Sequence, residues 1–392
     1  QIFLSDAGEM IRLRLRRILY LVPVVLFGFY LMIFSQPDIE DHGKVGKVGK
    51  VGKVQEFVKI VREENKASEE DDEGFLEPQL KILVLTYNRA KSLAQCLSSL
   101  QNLKLDGSKG VVEIWIDRSE NDTIDAEVLE TAQNFRWKNG PSSVHVQEHH
   151  VGIYGQWINT WQPHEQSEEI AIILEDDIDL SPFAFRWLKQ AHSHYDGRPD
   201  IAGYGLSDIE IPLADPHDLL KTSPDEVAFM FSRFSTFGFS PKLSVWKKFQ
   251  AWYAQKAKSK SFKPYTKSDS LFTRWFRIFE RKNSQKSMWS IWFIRFCVEE
   301  KLNTLYANTF RYLTKHYPEV GSQTSLAYHR REGGLHFSQV QSRTSDDYLM
   351  NIWFPELVQF PPEVTKYTIP PPKKTAKVVR RVVSKNKDPQ QS

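Results

Sequence analysis

The residues best suited to carry out chemistry lie in the stretch IAIILEDDIDLSP, residues 170–182. Its apolar run, IAIIL, predicts a strand that is buried on both faces, and Glu175, Asp176 and Asp177 follow this strand directly. Three neighbouring carboxylates repel one another, so the folded chain needs a counter-charge for them. A divalent cation held together with a phosphate ligand would supply that charge, because Mg²⁺ and Mn²⁺ prefer oxygen ligands. The alternative is an acidic junction between strand and loop that is simply solvated.

The elements around this stretch alternate between strands and helices. LKILVLTYNRAKSLAQCLSSLQNL predicts a buried strand, a turn and an amphipathic helix, while GVVEIWIDRS and SSVHV predict two more strands. Such alternation predicts an α/β domain with a mostly parallel, twisted sheet, in which ligands bind at the carboxyl ends of the strands. Tyr87, Arg89, Asp117 and the acidic triplet all fall at such ends, which favours the metal interpretation.

The residues before this domain predict a membrane anchor. The uncharged run ILYLVPVVLFGFYLMIF spans residues 18–34, and at ~1.5 Å per residue a helix of this length covers about 25 Å. Four arginines precede the run and three acids follow it, so the positive-inside rule places residues 1–17 in the cytosol and the rest of the chain in a lumen. A cleaved signal peptide is the alternative, although its apolar region is usually shorter.

The remaining flanks predict no folded structure. The repeat GKVGKVGKVGKV and an acidic run predict a flexible stem over residues 35–78, which leaves a folded domain over 79–345 and a C-terminal extension with a disordered Pro-rich, basic tail over 346–392. The net charge of +3 over 392 residues gives no case for a nucleic-acid-binding surface. Cys96 and Cys297 are too few for a disulfide scaffold and have no metal-ligand spacing; their pairing stays open.

LVLTYNR, WIDRS and LEDDIDLSP, in this order, resemble a GT-A glycosyltransferase, most closely the N-acetylglucosaminyltransferase I family. The likeness runs over roughly residues 80–340, where MWSIWFIR resembles the Trp-Asp-Asp-Trp segment of that family. The resemblance implies a GT-A type nucleotide-diphospho-sugar transferase domain with Mn²⁺ or Mg²⁺ as cofactor. It also implies transfer of a sugar, GlcNAc being favoured, from a UDP-sugar donor to a glycan or glycoprotein acceptor. Together with the anchor, it implies a type II Golgi membrane protein with a lumenal catalytic domain.

The resemblance assigns the acidic residues to the diphosphate end of the donor. Asp177 would bind the metal that neutralises the leaving group, while Asp176 and Glu175 would reach the ribose hydroxyls. His336 in GGLHF would complete the metal or diphosphate contact, with a buried structural histidine as the alternative. Asp179, two residues beyond Asp177, is expected outside the coordination sphere.

The nucleobase of the donor would be held by residues that follow the first two strands. Asp117 would accept the uracil imide N–H, and a helix cap or turn is its alternative role. Tyr87 would stack on the base and Arg89 would pair with a phosphate, although both suit ordinary packing and surface positions. Thr86 is a further candidate nucleotide contact.

One departure from the family pattern affects the mechanism. An inverting transferase needs a carboxylate base, which in the resembled family comes from the Asp-Asp pair between two tryptophans. Here Ser290 and Ile291 stand at those positions, so Glu299, Glu300 or Asp269 would have to take over. A retaining mechanism, or a catalytically silent GT-A domain that acts as a lumenal glycan- or nucleotide-binding protein, is the alternative. A nucleotidyltransferase is disfavoured, because LVLTYNR is not followed by a Gly-rich loop that contains Lys.

Overall fold

The computed structural model describes residues 79–207, 213, 219–267, 270–316, 325–330 and 361–369. The predicted cytosolic tail, transmembrane segment and stem, which together cover residues 1–78, lie outside the described residues. The described residues form a mixed α/β domain.

The first part of the domain alternates strands with helices. Its elements are β1 (Leu80–Thr86), α1 (Ala90–Leu100), β2 (Gly110–Ile116), α2 (Ala126–Asn134), β3 (Ser142–Val146), α3 (Gly152–Asn159) and β4 (Ile170–Glu175). β1 lies between β2 and β4, β3 lies outside β2, and all of these pairings are parallel. Every residue of β1 except Lys81 is buried, as expected for a strand that helices cover on both faces.

The second part of the domain has less regular connections. Its elements are β5 (Ile178–Leu180), α4 (Ala184–Tyr195), β6 (Ile201–Gly205), β7 (Ala228–Phe231), β8 (Phe239–Pro241), α5 (Leu243–Lys256), α6 (Ser270–Arg281), a 3₁₀ turn (Gln285–Ser287), α7 (Ser290–Glu300), β9 (Asn303–Ala307), α8 (Thr309–His316), β10 (Ala327–His329) and β11 (Lys366–Tyr367). Nine strands form the main sheet in the order β11-β7-β9-β6-β8-β4-β1-β2-β3.

Five of the eight strand pairings in this sheet are parallel, in agreement with the mostly parallel sheet that the sequence predicted, and three are antiparallel. β8 runs antiparallel to both β4 and β6, and β7 runs antiparallel to β9. In the described part of the chain no helix lies between β6 and β8, and antiparallel pairing does not need the helical crossover that parallel pairing requires. β11, from the predicted C-terminal extension, pairs in parallel with β7.

Two apolar cores cover the two faces of the sheet. One core contains side chains of α1, α2 and α4, including Leu97 and Trp187, and the other contains side chains of α3, α5 and α7, including Trp157 and Trp246. Cys96 belongs to the first core and Cys297 to the second, and both are buried free thiols. The two cysteines therefore do not pair.

The prediction of a transmembrane anchor is corrected by the structure. Among the residues that the structure describes, no helix combines the length and the apolar character needed to cross a bilayer. The predicted span, residues 18–34, lies outside these residues. The assignment as a single-pass, type II Golgi membrane protein depended on that span and is therefore not supported. The same holds for the transmembrane helix in the predicted fold class.

Candidate active site

The carboxyl ends of β1, β2 and β4 bring the predicted site residues to one edge of the sheet. In the register of the sheet, Leu85 lies beside Glu175, and the backbone N–H of Asp176 donates to the carbonyl oxygen of Leu85 (3.1 Å). Thr86 ends β1 and Asp117 follows β2. Because parallel neighbouring strands end together, residues about 90 positions apart in the chain become neighbours.

Arg89 supplies the counter-charge for the acidic cluster in this structure. Its guanidinium forms an ion pair with Asp176 and lies 2.8 Å from Oδ2 of Asp177 through Nη1. Burial by itself would lower the pKa of Arg89, but the charges of Asp176 and Asp177 outweigh the effect of burial and raise that pKa above its ordinary value. The acidic cluster is thus not simply solvated, and its negative charge does not depend on a metal ion alone for neutralisation.

Asp176 and Glu175 lie in the interior half of the cluster. Asp176 is 1% exposed and accepts a hydrogen bond from Oγ1 of Thr86 (2.7 Å), while Glu175 accepts one from the indole Nε1 of Trp157 (3.0 Å). Removal from solvent raises the pKa of Asp176 to about 6, and burial, aided by repulsion from Asp177, raises the pKa of Glu175 to about 7. Thr86 therefore supports Asp176 within the cluster.

Asp177 differs from its two neighbours in its partners. His329 of β10 lies 3.5 Å from it, between Nε2 and Oδ2, and the imidazole stacks on Phe237 with ring centroids 4.4 Å apart. Burial opposes ionisation of Asp177, but hydrogen bonding from His329 and the charge of Arg89 lower the pKa of Asp177 to about 2. Asp177 is thus the acid of the cluster best suited to remain a carboxylate.

The structure brings His329 to the cluster, while the role of His336, to which the sequence pointed, stays a prediction. His336 lies outside the described residues. His329 arrives because β10 pairs antiparallel with β5, which places His329 opposite Ile178. No local signal in LAYH identifies this histidine, because β10 has only three residues, too few for a strand period to be recognised.

Asp177 and His329 together offer a carboxylate and an imidazole to a metal ion. No group of three or more such ligands occurs among the described residues. A cation at this point would therefore need further oxygen ligands, which a diphosphate can supply. The imidazole Nδ1 of His329 is buried without a hydrogen-bond partner in the described part of the chain, so the ring is held by stacking. These donors fit Mn²⁺, provided that Arg89 releases Asp177.

Asp117 is engaged by the backbone at the start of α3. Its carboxylate accepts hydrogen bonds from the N–H groups of Arg118, Val151 and Gly152, each at 2.9 Å. A uracil imide would have to share or displace one of these donors, so the helix-cap alternative has direct structural support. Tyr87, with 38% of its surface exposed, follows β1 at the same edge of the sheet.

Of the predicted catalytic bases, Glu299 is held by side chains that do not belong to the acidic cluster. Asp269 lies outside the described residues. Glu299 lies at the far end of α7, about 15 Å along the helix from Trp289 at its start, and it accepts hydrogen bonds from Arg295 (2.7 Å) and Trp252 (2.9 Å). These two donors, against the effect of burial, lower the pKa of Glu299. A carboxylate held in this way on the surface is poorly placed to take a proton at the cluster.

Arg330 is a site residue that the sequence did not reveal. Its guanidinium lies 3.2 Å from Asp179 and donates to the backbone carbonyl of Asp176 (2.6 Å) and to that of Ser92 (2.9 Å). Burial raises the pKa of Asp179 to about 6 although Arg330 opposes this shift. Asp179, expected to be an uninvolved neighbour, is therefore coupled to the acidic loop through Arg330.

No family model and no curated protein matches this chain. Similar solved structures include S. aureus TarS 1-349, which is 16% identical over 50% of this chain and 54% of the TarS chain, with a TM-score of 0.29. TarS 1-349 in complex with UDP-GlcNAc is 12% identical over 67% of this chain and 62% of that one, with a TM-score of 0.32. Mannosyltransferase PcManGT from Pyrobaculum calidifontis, in complex with GDP-Man and Mn²⁺, is 12% identical over 57% of this chain and 74% of its own, with a TM-score of 0.34. Likeness at this level assigns no family, and the N-acetylglucosaminyltransferase I family is not confirmed.

Proposed function

We propose that this chain is a metal-dependent glycosyltransferase that moves a sugar, GlcNAc being favoured, from a UDP-sugar donor to a glycan or glycoprotein acceptor. The observation that carries the proposal is the cluster at the carboxyl ends of β1 and β4, in which Asp177 is flanked by Arg89 and His329. Cationic and anionic groups meet there in a partly buried setting, which suits the binding and release of a diphosphate.

Each residue of the cluster has a distinct proposed role. Asp177 and His329 would hold the Mn²⁺, whose charge would offset that of the diphosphate leaving group. Arg89 would turn from Asp177 towards a phosphate, since a guanidinium binds phosphate oxygens through paired hydrogen bonds. Asp176 and Glu175 would accept hydrogen bonds from the ribose hydroxyls.

The nucleobase of the donor would lie beside β2. The exposed ring of Tyr87 would stack on uracil, and Asp117 would receive the imide N–H in exchange for one of its present donors. A stacking ring together with a single acceptor would recognise uracil without enclosing it. Thr86 would keep Asp176 in position beneath the nucleotide.

A second candidate function is nucleotide or glycan binding without turnover. It is favoured by Ser290 and Ile291 at the positions where the resembled family has its base, and by the engagement of Glu299 with Arg295 and Trp252. A retaining transferase would not need that base, so the two candidates differ in whether the donor is broken down.

A hydrolysis screen tests both candidates. Purified protein would be incubated with Mn²⁺ and UDP-GlcNAc, UDP-GalNAc, UDP-galactose or UDP-glucose, and the release of UDP would be measured, with Asp177→Asn as the matched inactive variant. We expect release from at least one donor by the wild type and from none by the variant. Tight, Mn²⁺-dependent UDP binding without release from any donor would favour the silent binding protein.

A further inference from the structure

The overall charge of +3 conceals an uneven distribution along the chain. Between residues 242 and 287 the sequence has thirteen lysines and arginines but only two carboxylates, Asp269 and Glu280. The rest of the chain is therefore net negative. The cationic segment covers α5, the loop that follows it, and α6.

α6 presents the most regular part of this positive charge. Its other face is apolar and packs in the core, where Phe276 and Phe279 join Ile291 of α7. The exposed side chains recur every three or four residues and so form one face of the helix. This basic face consists of Arg274, Arg277, Ile278, Arg281 and, just beyond the helix end, Lys282.

Among the residues that the structure describes, Arg274, Arg277 and Arg281 form no ion pair with a carboxylate. Glu280, the one acid in the sequence of α6, is engaged by Lys263 (2.7 Å) and by the hydroxyl of Tyr265. Arg277 lies over the ring of Tyr265 (4.6 Å), and Arg281 donates to the carbonyl of Arg277. Like charges three and four residues apart on a helix repel one another and destabilise it. An anionic partner would reverse this repulsion.

α6 is attached firmly to the elements that carry the candidate active site. Trp289, just before α7, stacks on Trp157 with ring centroids 4.5 Å apart, and Trp157 donates to Glu175. The hydroxyl of Tyr154 donates to the carbonyls of Gln285 (2.9 Å) and Met288 (3.0 Å), which joins the turn after α6 to α3. The basic face lies on the opposite side of α6 from α7, a helix diameter of about 10 Å away.

We propose that the basic face binds an acceptor glycan that carries sulfate or phosphate groups, away from the sugar that reacts. The proposal rests on the glycosyl transfer proposed above. Guanidinium groups pair bidentately with such anions, and a polymeric glycan is long enough to reach from α6 to the acidic cluster. A lipid surface is a poorer match, because membrane-binding helices expose their apolar face and that of α6 is buried, which leaves only Ile278 exposed.

The test measures binding of fluorescently labelled dextran sulfate and of uncharged dextran of the same length. The full chain should bind only dextran sulfate, with an affinity that falls steeply as salt is added. The variant Arg274→Gln/Arg277→Gln/Arg281→Gln should bind at least tenfold more weakly, with a salt slope smaller by about two. The control Lys104→Gln/Lys138→Gln/Lys221→Gln loses the same charge from exposed positions elsewhere and should retain wild-type binding.

UDP binding with Mn²⁺, measured on the same proteins, separates this proposal from the proposed function. It should be equal in all three proteins, which also shows that the arginine variant is folded. Failure of the wild type to bind dextran sulfate, or equal weakening in both variants, would overturn the glycan surface and leave donor chemistry untouched. Preferential binding to phosphatidylglycerol vesicles, lost in Ile278→Ala, would overturn it in favour of a membrane surface. If dextran sulfate binds in the expected pattern but no UDP-sugar is hydrolysed, the result would instead contradict the proposed glycosyl transfer.

Discussion

Arg330 and Asp179 form an ion pair, with 3.2 Å between Nη1 and Oδ1, on the ribbon made by β5 and β10. Because the same guanidinium donates to the carbonyls of Ser92 and Asp176, it joins α1, the acidic loop and β10 at one point. His329, the last residue of β10, directly precedes Arg330 and lies 3.5 Å from Asp177. The ion pair thus holds the imidazole and the carboxylate in register.

Removal of Arg330 is expected to loosen the site. Arg330→Met should weaken Mn²⁺-dependent UDP binding more than tenfold and lower the free energy of unfolding by about 3 kcal/mol, because several charge-assisted hydrogen bonds are lost together. Arg330→Lys keeps the charge but cannot span all acceptors and should be intermediate. Asp179→Asn loses only the ion pair and should lie nearest to wild type. Calorimetry with and without Mn²⁺ is the measurement, and an equal loss in both conditions would contradict a positioning role.

Asp177→Asn is expected to abolish turnover and to make UDP binding insensitive to Mn²⁺. It should also cost about 1–3 kcal/mol of stability at neutral pH, because the amide removes the charge that Arg89 and His329 stabilise. The pKa of Asp177 lies below its ordinary value of 3.8, at about 2, so its contribution is present above that ordinary value and is lost as the pH falls towards 2. Urea unfolding at several pH values should therefore show the difference from wild type shrinking below about pH 4. A difference that stays constant down to pH 2 would contradict the assignment.

Because Arg89 already neutralises the acidic cluster, we predict that it competes with a metal ion for the carboxylates. Arg89→Gln should lower the free energy of unfolding by about 3 kcal/mol, because it leaves buried carboxylates uncompensated, yet it should tighten Mn²⁺ binding to the nucleotide-free protein. Added Mn²⁺ should restore much of the lost thermal stability. Arg186→Gln, which disrupts a surface ion pair with Asp106, is the matched control and should cost about 1 kcal/mol or less. Mn²⁺ binding that is weaker in Arg89→Gln would refute the competition.

Local patterns were sufficient for the first part of the fold but not for the second. The apolar runs of β1, β2 and β4 and the helical spacing in α1 are visible in the sequence because each is long and regular. β5, β8 and β10 have only three residues each, too few for a period to be recognised. Their places depend on partners far along the chain: β8 pairs with β4 and β6 in the main sheet, while β5 and β10 form a separate two-stranded sheet.

The same limit applies to the candidate site. The acidic triplet and Arg89 could be predicted to meet, because parallel strands end at one edge of the sheet. The approach of His329 to the cluster could not be predicted, since it depends on the pairing of β10 with β5. The involvement of Asp179 was invisible for the same reason, because Arg330 lies 151 positions later in the sequence.

His329 is expected to contribute to metal binding rather than to nucleotide binding alone. His329→Ala should reduce the enhancement of UDP affinity by Mn²⁺ at least tenfold and leave the affinity without metal little changed, because the imidazole would contact the cation and not the nucleotide. His149→Ala removes an imidazole whose side chain is 80% exposed and should behave as wild type. Titration of both variants with UDP, with and without Mn²⁺, makes the comparison. Equal losses in both conditions would instead assign His329 to packing against Phe237.

The final prediction concerns the nucleobase that the site prefers. If Asp117 accepts the imide N–H of uracil, UDP should bind about tenfold to a hundredfold more tightly than GDP, since an unmatched buried hydrogen-bond partner costs ~1–3 kcal/mol. Asp117→Asn should narrow this difference and also lower stability, because the carboxylate caps α3 through Val151 and Gly152. Asp125→Asn, at the cap of α2, provides the control for cap loss without nucleotide contact. Equal UDP and GDP affinities in the wild type, measured by calorimetry, would leave Asp117 with the helix cap as its sole role and shift base recognition to Tyr87.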